Sequence, residues 1–243
     1  MQNVRVVITG VGSINAIACD ADAFAAALKQ GRCGIGPLSV FDTAGFRTRT
    51  GGEVRAFAPQ ERIPPVYYGK RMSRADAMAM VATLEGLQDA GLLPLPDGLR
   101  ENTGVAIGGG AGGMLEGEAA YQRYLSGHAD TVRFSDFSAF CGASSADHMV
   151  SKLRLWGPKT TFMTACSSGA TAIGYARDLI RDGMATVMIA GGTEPLARTT
   201  YAAFNSLKAV DPEYCKPFDR NRQGMSLGEG AGMLILESLP HAL

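Results

Sequence analysis

Neither sign of charge is in excess in this sequence. Its 23 Lys and Arg are matched by 23 Asp and Glu. No global field therefore draws it to nucleic acid or to an anionic membrane. No run is long and apolar enough to span a bilayer. The opening "MQNVRVVITGVGS" breaks into glycine too early for a secretory leader. The five cysteines, Cys19, Cys33, Cys141, Cys166 and Cys215, show no CxxC spacing. An odd, scattered set of this kind points to reduced thiols in a cytoplasmic protein. Nothing in the pattern calls for a metal or a cofactor. Low-complexity segments and short repeats are missing too. What is present is apolar: 46% of the 243 residues, ample for a packed core. The length fits one large α/β domain or two small ones.

Strand-like and helix-like runs alternate. "VRVVIT" (4–9) reads as a buried strand and "DADAFAAALKQG" (20–31) as a helix ended by glycine. A loop-rich stretch with Pro59, Pro64 and Pro65 follows. "SRADAMAMVATLEGLQDAG" (73–91) starts on a serine cap and keeps an apolar stripe of 3.6-residue period. "TGVAIGGGAGG" is a strand running into a glycine loop, and "TTFMT", "TVMIAGG" and "GAGMLILES" supply three more strands. The fully apolar run 187–190 suggests a strand covered on both faces. The repeat of strand, helix, strand predicts an α/β fold: a mostly parallel five-stranded sheet with helices on both faces.

Cys166 stands where such a strand meets such a helix, in "TFMTACSSGATAIGYARDLI". The helix is expected to run about four turns, from Cys166 to Arg181. Exposed N–H groups and the positive end of the dipole favour a thiolate at that place. A backbone N–H at the elbow also faces any oxyanion that develops there. Ser167, Ser168, Gly169, Ala170, Ala172 and Gly174 are small, so backbone packs close and a substrate has room. A buried structural thiol is the bland alternative. It suits the other four cysteines, while position and neighbours favour a nucleophile at 166. The helix reads as apolar or small on nearly all sides of its first turns, which places it between two layers.

At these residues the sequence resembles a known family. "TACSSGATAIGYA" is similar to the active-site elbow of the β-ketoacyl-acyl-carrier-protein synthases, condensing enzymes of the thiolase superfamily. "RVVITGVGSINAIACD", "VAIGGGAGGM", "ATVMIAGGTEP" and "KPFDRNRQGMSLGEGAGMLILES" resemble further family segments, in family order, and the type II elongating branch matches best. The resemblance implies a thiolase-like fold of which residues 1–243 are the N-terminal half. The second half of that family carries two histidines, a lysine and a gate loop, and none of those motifs is found. His128, His148 and His241 match no catalytic motif and read as surface or structural residues.

The implied chemistry is a decarboxylative condensation. Cys166 would take an acyl group from a thioester, and a malonyl thioester would lose carbon dioxide and attack it. The implied partners are an acyl carrier protein, acyl and malonyl thioesters, and a second copy of the chain, paired through the strand before Cys166. This chain alone is expected not to condense. Ala111 and Phe204 resemble acyl-pocket positions. Lys70, Arg71, Arg74 and Arg133 are candidates to meet an acidic carrier protein, against the bland reading of a solvated charged face. Asp219, Arg222 and Glu229 resemble a structural polar cluster of the family.

Two departures stand out. "FSAFCGASSADHMVSKLRLWGP" lacks the family's usual PST-containing stretch, and the connection from Leu207 to Pro217 is short. Both leave a specialised lipid or polyketide pathway open beside ordinary fatty acid synthesis. Two rival classes remain. A non-catalytic partner subunit would lack the nucleophile. A dinucleotide-binding oxidoreductase would rest on "GVGSIN" and "GGGAGG" alone; the first departs from GxGxxG, and both read as tight turns.

Overall fold

The computed structural model describes residues 4–243. Its strands are β1 (Val6–Asn15), β2 (Ile35–Pro37), β3 (Thr50–Gly52), β4 (Thr103–Gly108), β5 (Lys159–Phe162), β6 (Val187–Glu194) and β7 (Gly230–Ser238). Its helices are α1 (Ala21–Lys29), α2 (Pro59–Arg62), α3 (Arg74–Asp89), α4 (Asp97–Arg100), α5 (Met114–Leu125), α6 (Ser144–Leu153), α7 (Ser168–Arg181), α8 (Arg198–Ser206) and α9 (Leu239–Ala242).

Five strands form one sheet in the order β1-β7-β6-β4-β5, while β2 and β3 pair separately. β4 lies parallel to β5 and to β6, whereas β7 is antiparallel to both β6 and β1. Only β7 therefore opposes the common direction, and the sheet is mixed. Side chains alternate across it with period two. Val105, Ile107, Val187, Ile189, Met233 and Ile235 share a core with α3 and α6. Ala106, Met188, Ala190 and Leu236 share one with Ala172, Ala176 and Ile180 of α7. Helices thus cover both faces, and residues 187–190 are buried throughout, as the apolar run predicts.

α3 begins on the expected serine. Ser73 accepts the Asp76 N–H, and Asp76 returns the bond to the Ser73 N–H, a reciprocal cap. The expected stripe is corrected, since α3 is buried at every position from Ala75 to Leu84. The sheet packs one side of it, and α6 with Phe57, Tyr67, Tyr68 and Met72 closes the rest. Its alanines and methionines suit that enclosure, because they fill space without needing a wet side.

The first glycine motif is also corrected. "GVGSIN" is no turn, because β1 continues through it to Asn15. A Cβ at Gly10 would lie 2.1 Å from the Gly86 carbonyl oxygen, and one at Gly12 would lie 1.8 Å from that of Ala82. These glycines let β1 rest on the backbone of α3. This motif therefore forms no phosphate-binding turn. "GGGAGG" does leave the strand as a loop, with Gly112 at φ +51°.

Candidate active site

The chain reaches Cys166 through a sharp bend. β5 ends at Phe162, a single 3-10 turn spans Ala165–Ser167, and α7 starts at Ser168. Cys166 is thus one short turn ahead of the α-helix expected to begin with it. Ala165 has φ +53°, a left-handed conformation that costs an L-residue roughly 1–2 kcal/mol. Two serines hold the bend. Ser168 Oγ accepts the Thr164 N–H at 2.9 Å and donates to the Ala165 carbonyl at 2.7 Å. Ser167 Oγ donates to the Thr164 carbonyl at 2.9 Å. Cys166 itself is exposed.

Glycine lets the elbow sit on the sheet. A Cβ at Gly108 would lie 2.2 Å from the Ser168 carbonyl carbon and 2.3 Å from the Gly169 nitrogen. The start of α7 therefore rests directly on the end of β4. Farther along, α7 buries Ala172, Ala176 and Ile180 and turns Arg177, Asp178 and Arg181 outward. The charged face thus begins at Arg177, beyond the first turns to which the apolar reading applies. The open apolar surface is confined to the first turns and to Tyr175, whose ring meets Phe162 edge-on at 5.2 Å.

A cavity of about 650 Å³ opens beside Cys166. Its walls include Ile14, Phe24, Leu196, Phe204 and Leu227, together with Gly108–Gly110 of the glycine loop. Phe204 reaches it from α8, whose first N–H groups, on Arg198 and Thr199, are bound by the Glu118 carboxylate at 2.9 and 2.6 Å. Tyr201, fully buried on the same helix, donates to the Thr50 carbonyl at 2.8 Å and packs edge-on against Phe41. Cys166 and Phe204 thus share one cavity. Ala111 is buried but is not part of the lining, and its N–H is bound by Glu194. No histidine or lysine lines the cavity among the described residues.

The candidate cations divide. Lys70, Arg71 and Arg133 are exposed. Arg74 is taken out of the surface set, because its guanidinium makes a bidentate pair with buried Glu229 and donates to the Val54 carbonyl at 2.6 Å. Burial works to lower the pKa of Arg74, but the hydrogen bonds and charge of Glu229, joined by the charges of Glu53 and Glu116, outweigh it and raise the pKa. Glu229 also accepts the N–H groups of Val54 and Leu196. The expected Asp219, Arg222 and Glu229 cluster is therefore corrected. Asp219 and Arg222 stay on an exposed loop bonded to one another, while Glu229 belongs to Arg74. His128 is exposed, His148 lies 3.7 Å from Asp76, and His241 pairs with Glu237. No group of three or more His, Cys, Asp or Glu is placed to hold a metal among the described residues. No helix among them is long and apolar enough to cross a membrane.

Glu85, Glu118 and Glu194 escaped the sequence reading. Each binds two backbone N–H groups of another segment. Their partners lie 64 to 84 residues away in the chain, so no local pattern marks them.

An α/β sheet that seats a cysteine elbow over an apolar cavity is the architecture of the fatty acid and polyketide condensing enzymes. The chain belongs to the β-ketoacyl synthase, N-terminal domain family, whose model matches residues 3–242. It is 36% identical over 240 residues to nodulation protein E of Rhizobium meliloti (strain 1021), covering 98% of this chain and 59% of that protein. It is 34% identical over 252 residues to 3-oxoacyl-(acyl-carrier-protein) synthase 2 of Synechocystis sp. (strain ATCC 27184 / PCC 6803 / Kazusa), covering 100% of this chain and 60% of that one. The solved ishigamide ketosynthase/chain length factor matches with a TM-score of 0.89 at 32% identity, over 99% of this chain and 60% of that one. The chain thus spans about 60% of the length of the proteins it matches.

Proposed function

We propose that Cys166 accepts an acyl group from a carrier-protein thioester, as the first half of a decarboxylative condensation in fatty acid or polyketide synthesis. The observation that carries this reading is an exposed thiol on a strained elbow beside an apolar cavity. The Cys166 sulfur bonds to the acyl carbon, and the carrier's C–S bond breaks with release of its thiol. The acyl chain lies along Ile14, Leu196 and Phe204. A malonyl thioester then loses carbon dioxide, and its carbanion bonds to the acyl carbon as the bond to Cys166 breaks. The two histidines and the lysine that the family uses for this second step have no counterpart in the cavity. Residues 1–243 alone therefore acylate without condensing.

Lys70, Arg71 and Arg133, all exposed, suit an acidic carrier protein. Among the described residues β5 lies at the edge of the sheet with only β4 beside it, and an open edge of this kind favours a second copy. Incubation with acyl and malonyl carrier proteins tests the reading. Intact mass should show one acyl adduct on Cys166, with no carbon dioxide or β-ketoacyl product. An adduct that persists in Cys166→Ala, or none in the parent, would overturn the assignment of the thiol. Steady carbon dioxide release would overturn the division of labour.

A further inference from the structure

The cavity has one charged residue in its lining, Glu194. Both of its carboxylate oxygens are engaged. Oε2 accepts the Gly110 N–H at 2.7 Å and Oε1 the Ala111 N–H at 2.9 Å. These donors belong to the loop after β4, where Gly109, Gly110, Gly112 and Gly113 surround Ala111. A chain so rich in glycine has many accessible backbone states, so its shape must come from outside. One end is fixed by the Gly109 N–H on the Phe162 carbonyl at 3.2 Å, the other by the Gly113 N–H on the Ala139 carbonyl at 2.8 Å. Between those anchors the N–H groups of Gly110 and Ala111 go to Glu194. The loop also lies hard against the strand that carries Glu194, because a Cβ at Gly109 would sit 2.6 Å from the Thr193 carbonyl oxygen.

We infer that Glu194 is a positioning residue that limits how far an acyl chain enters beside Cys166, by clamping, through the N–H groups of Gly110 and Ala111, the loop whose Gly109 and Gly110 form a wall of the cavity. The inference rests on the acyl-transfer reading for the identity of the guest. The clamp itself is geometric. The carboxylate serves two N–H groups at once, so a glutamine keeps one acceptor and sets its amide N–H against the other donor. Released, the wall yields and longer chains enter. The basis of selection is then the shape of an apolar guest, and a charged head on that guest gains nothing from a carboxylate already occupied.

The test uses alkylation, which needs only the exposed thiol. N-alkyl iodoacetamides from N-methyl to N-hexadecyl react with the parent chain, Glu194→Gln and Glu194→Ala. In each reaction the cysteine sulfur bonds to the iodine-bearing carbon, iodide leaves, and the thiol proton passes to buffer. Peptide mass spectrometry reads Cys166 against exposed Cys33 as internal reference. In the parent the ratio should rise with chain length and then fall at a cut-off. In both variants the cut-off should move to longer chains, with about a fourfold gain for each methylene newly admitted. Hydrogen exchange across 109–113 should quicken by roughly tenfold or more as the charge-assisted bonds are lost. An unchanged cut-off beside faster exchange refutes the limit on chain entry, and unchanged exchange refutes the clamp. Should Glu194→Ala not fold, Glu194→Gln alone decides. A shifted cut-off in a protein that takes no acyl group from thioesters would sink the acyl-transfer reading and leave the clamp standing.

Discussion

Alanine at two glycines of the elbow region should act with opposite signs. At Gly108 a Cβ would stand 2.2 Å from the Ser168 carbonyl carbon, whereas ordinary contact begins at 3.4 Å. Both Ser168 and Gly169 are met through backbone, so no side chain can swing aside. The start of α7 must lift by about 1.2 Å or β4 must sink. Overpacking of this kind costs about 1–3 kcal/mol, which for a chain of this size lowers Tm by roughly 2–12 °C. A shift near 1 Å at a nucleophile costs about 100-fold in rate, so acyl transfer to Cys166 should fall further than stability. At Gly174, on the same helix, an added methyl would meet nothing within 4 Å. Alanine there should add about 0.5–1 kcal/mol by removing backbone freedom from the unfolded chain. Thermal melts and acyl-adduct rates of Gly108→Ala and Gly174→Ala decide the matter. If Gly108→Ala melts with the parent and acylates at the parent rate, the close seating of the elbow on β4 is wrong.

Arg74→Met should cost about 3–5 kcal/mol, because it leaves the buried Glu229 carboxylate without its cation; a urea midpoint within error of the parent would contradict this. Glu116 has its pKa raised by burial, with the charge of Asp76 adding to the effect. The folded state then keeps a proton that the unfolded chain has released, so stability falls as pH rises from 4.5 through the raised value. Glu116→Gln should remove that fall, and identical stability curves across this window would refute the assignment. Limiting iodoacetamide should label Cys166 ahead of the other four thiols, and equal labelling of half-buried Cys19 or Cys215 would count against the elbow.

Local physics made several elements readable from the chain. The Ser73 cap and the apolar run 187–190 both depend on neighbours a few residues away. The elbow was legible for the same reason, with strand, cysteine, small residues and helix in one stretch. Other features depend on distant partners. Gly10 and Gly12 look like turn residues until α3 lies across them, and only then does their lack of a side chain explain a strand. Arg74 looks like a surface cation until Glu229, 155 residues on, claims it. The clamp of Glu194 on Gly110 spans 84 residues and has no local trace. Phe204 lies on α8, and that helix brings it to the cavity beside Cys166.

The pairing of β1 has a consequence for how the chain is made. Val6 lies opposite Ser238 and Asn15 opposite Gly230, and among the described residues β7 is the only neighbour of β1 in the sheet. β1 is therefore synthesised long before the strand it pairs with. During that interval its backbone edge and the exposed side chains of Ile8 and Val11 lack a sheet partner, the condition in which strands pair wrongly. Contacts so remote in sequence also slow folding, because the closure of a long loop precedes any gain from it. The seat that residues 82–90 offer to Gly10 and Gly12 is complete once residue 90 has emerged. α3 is thus placed to seat β1 before its strand partner emerges.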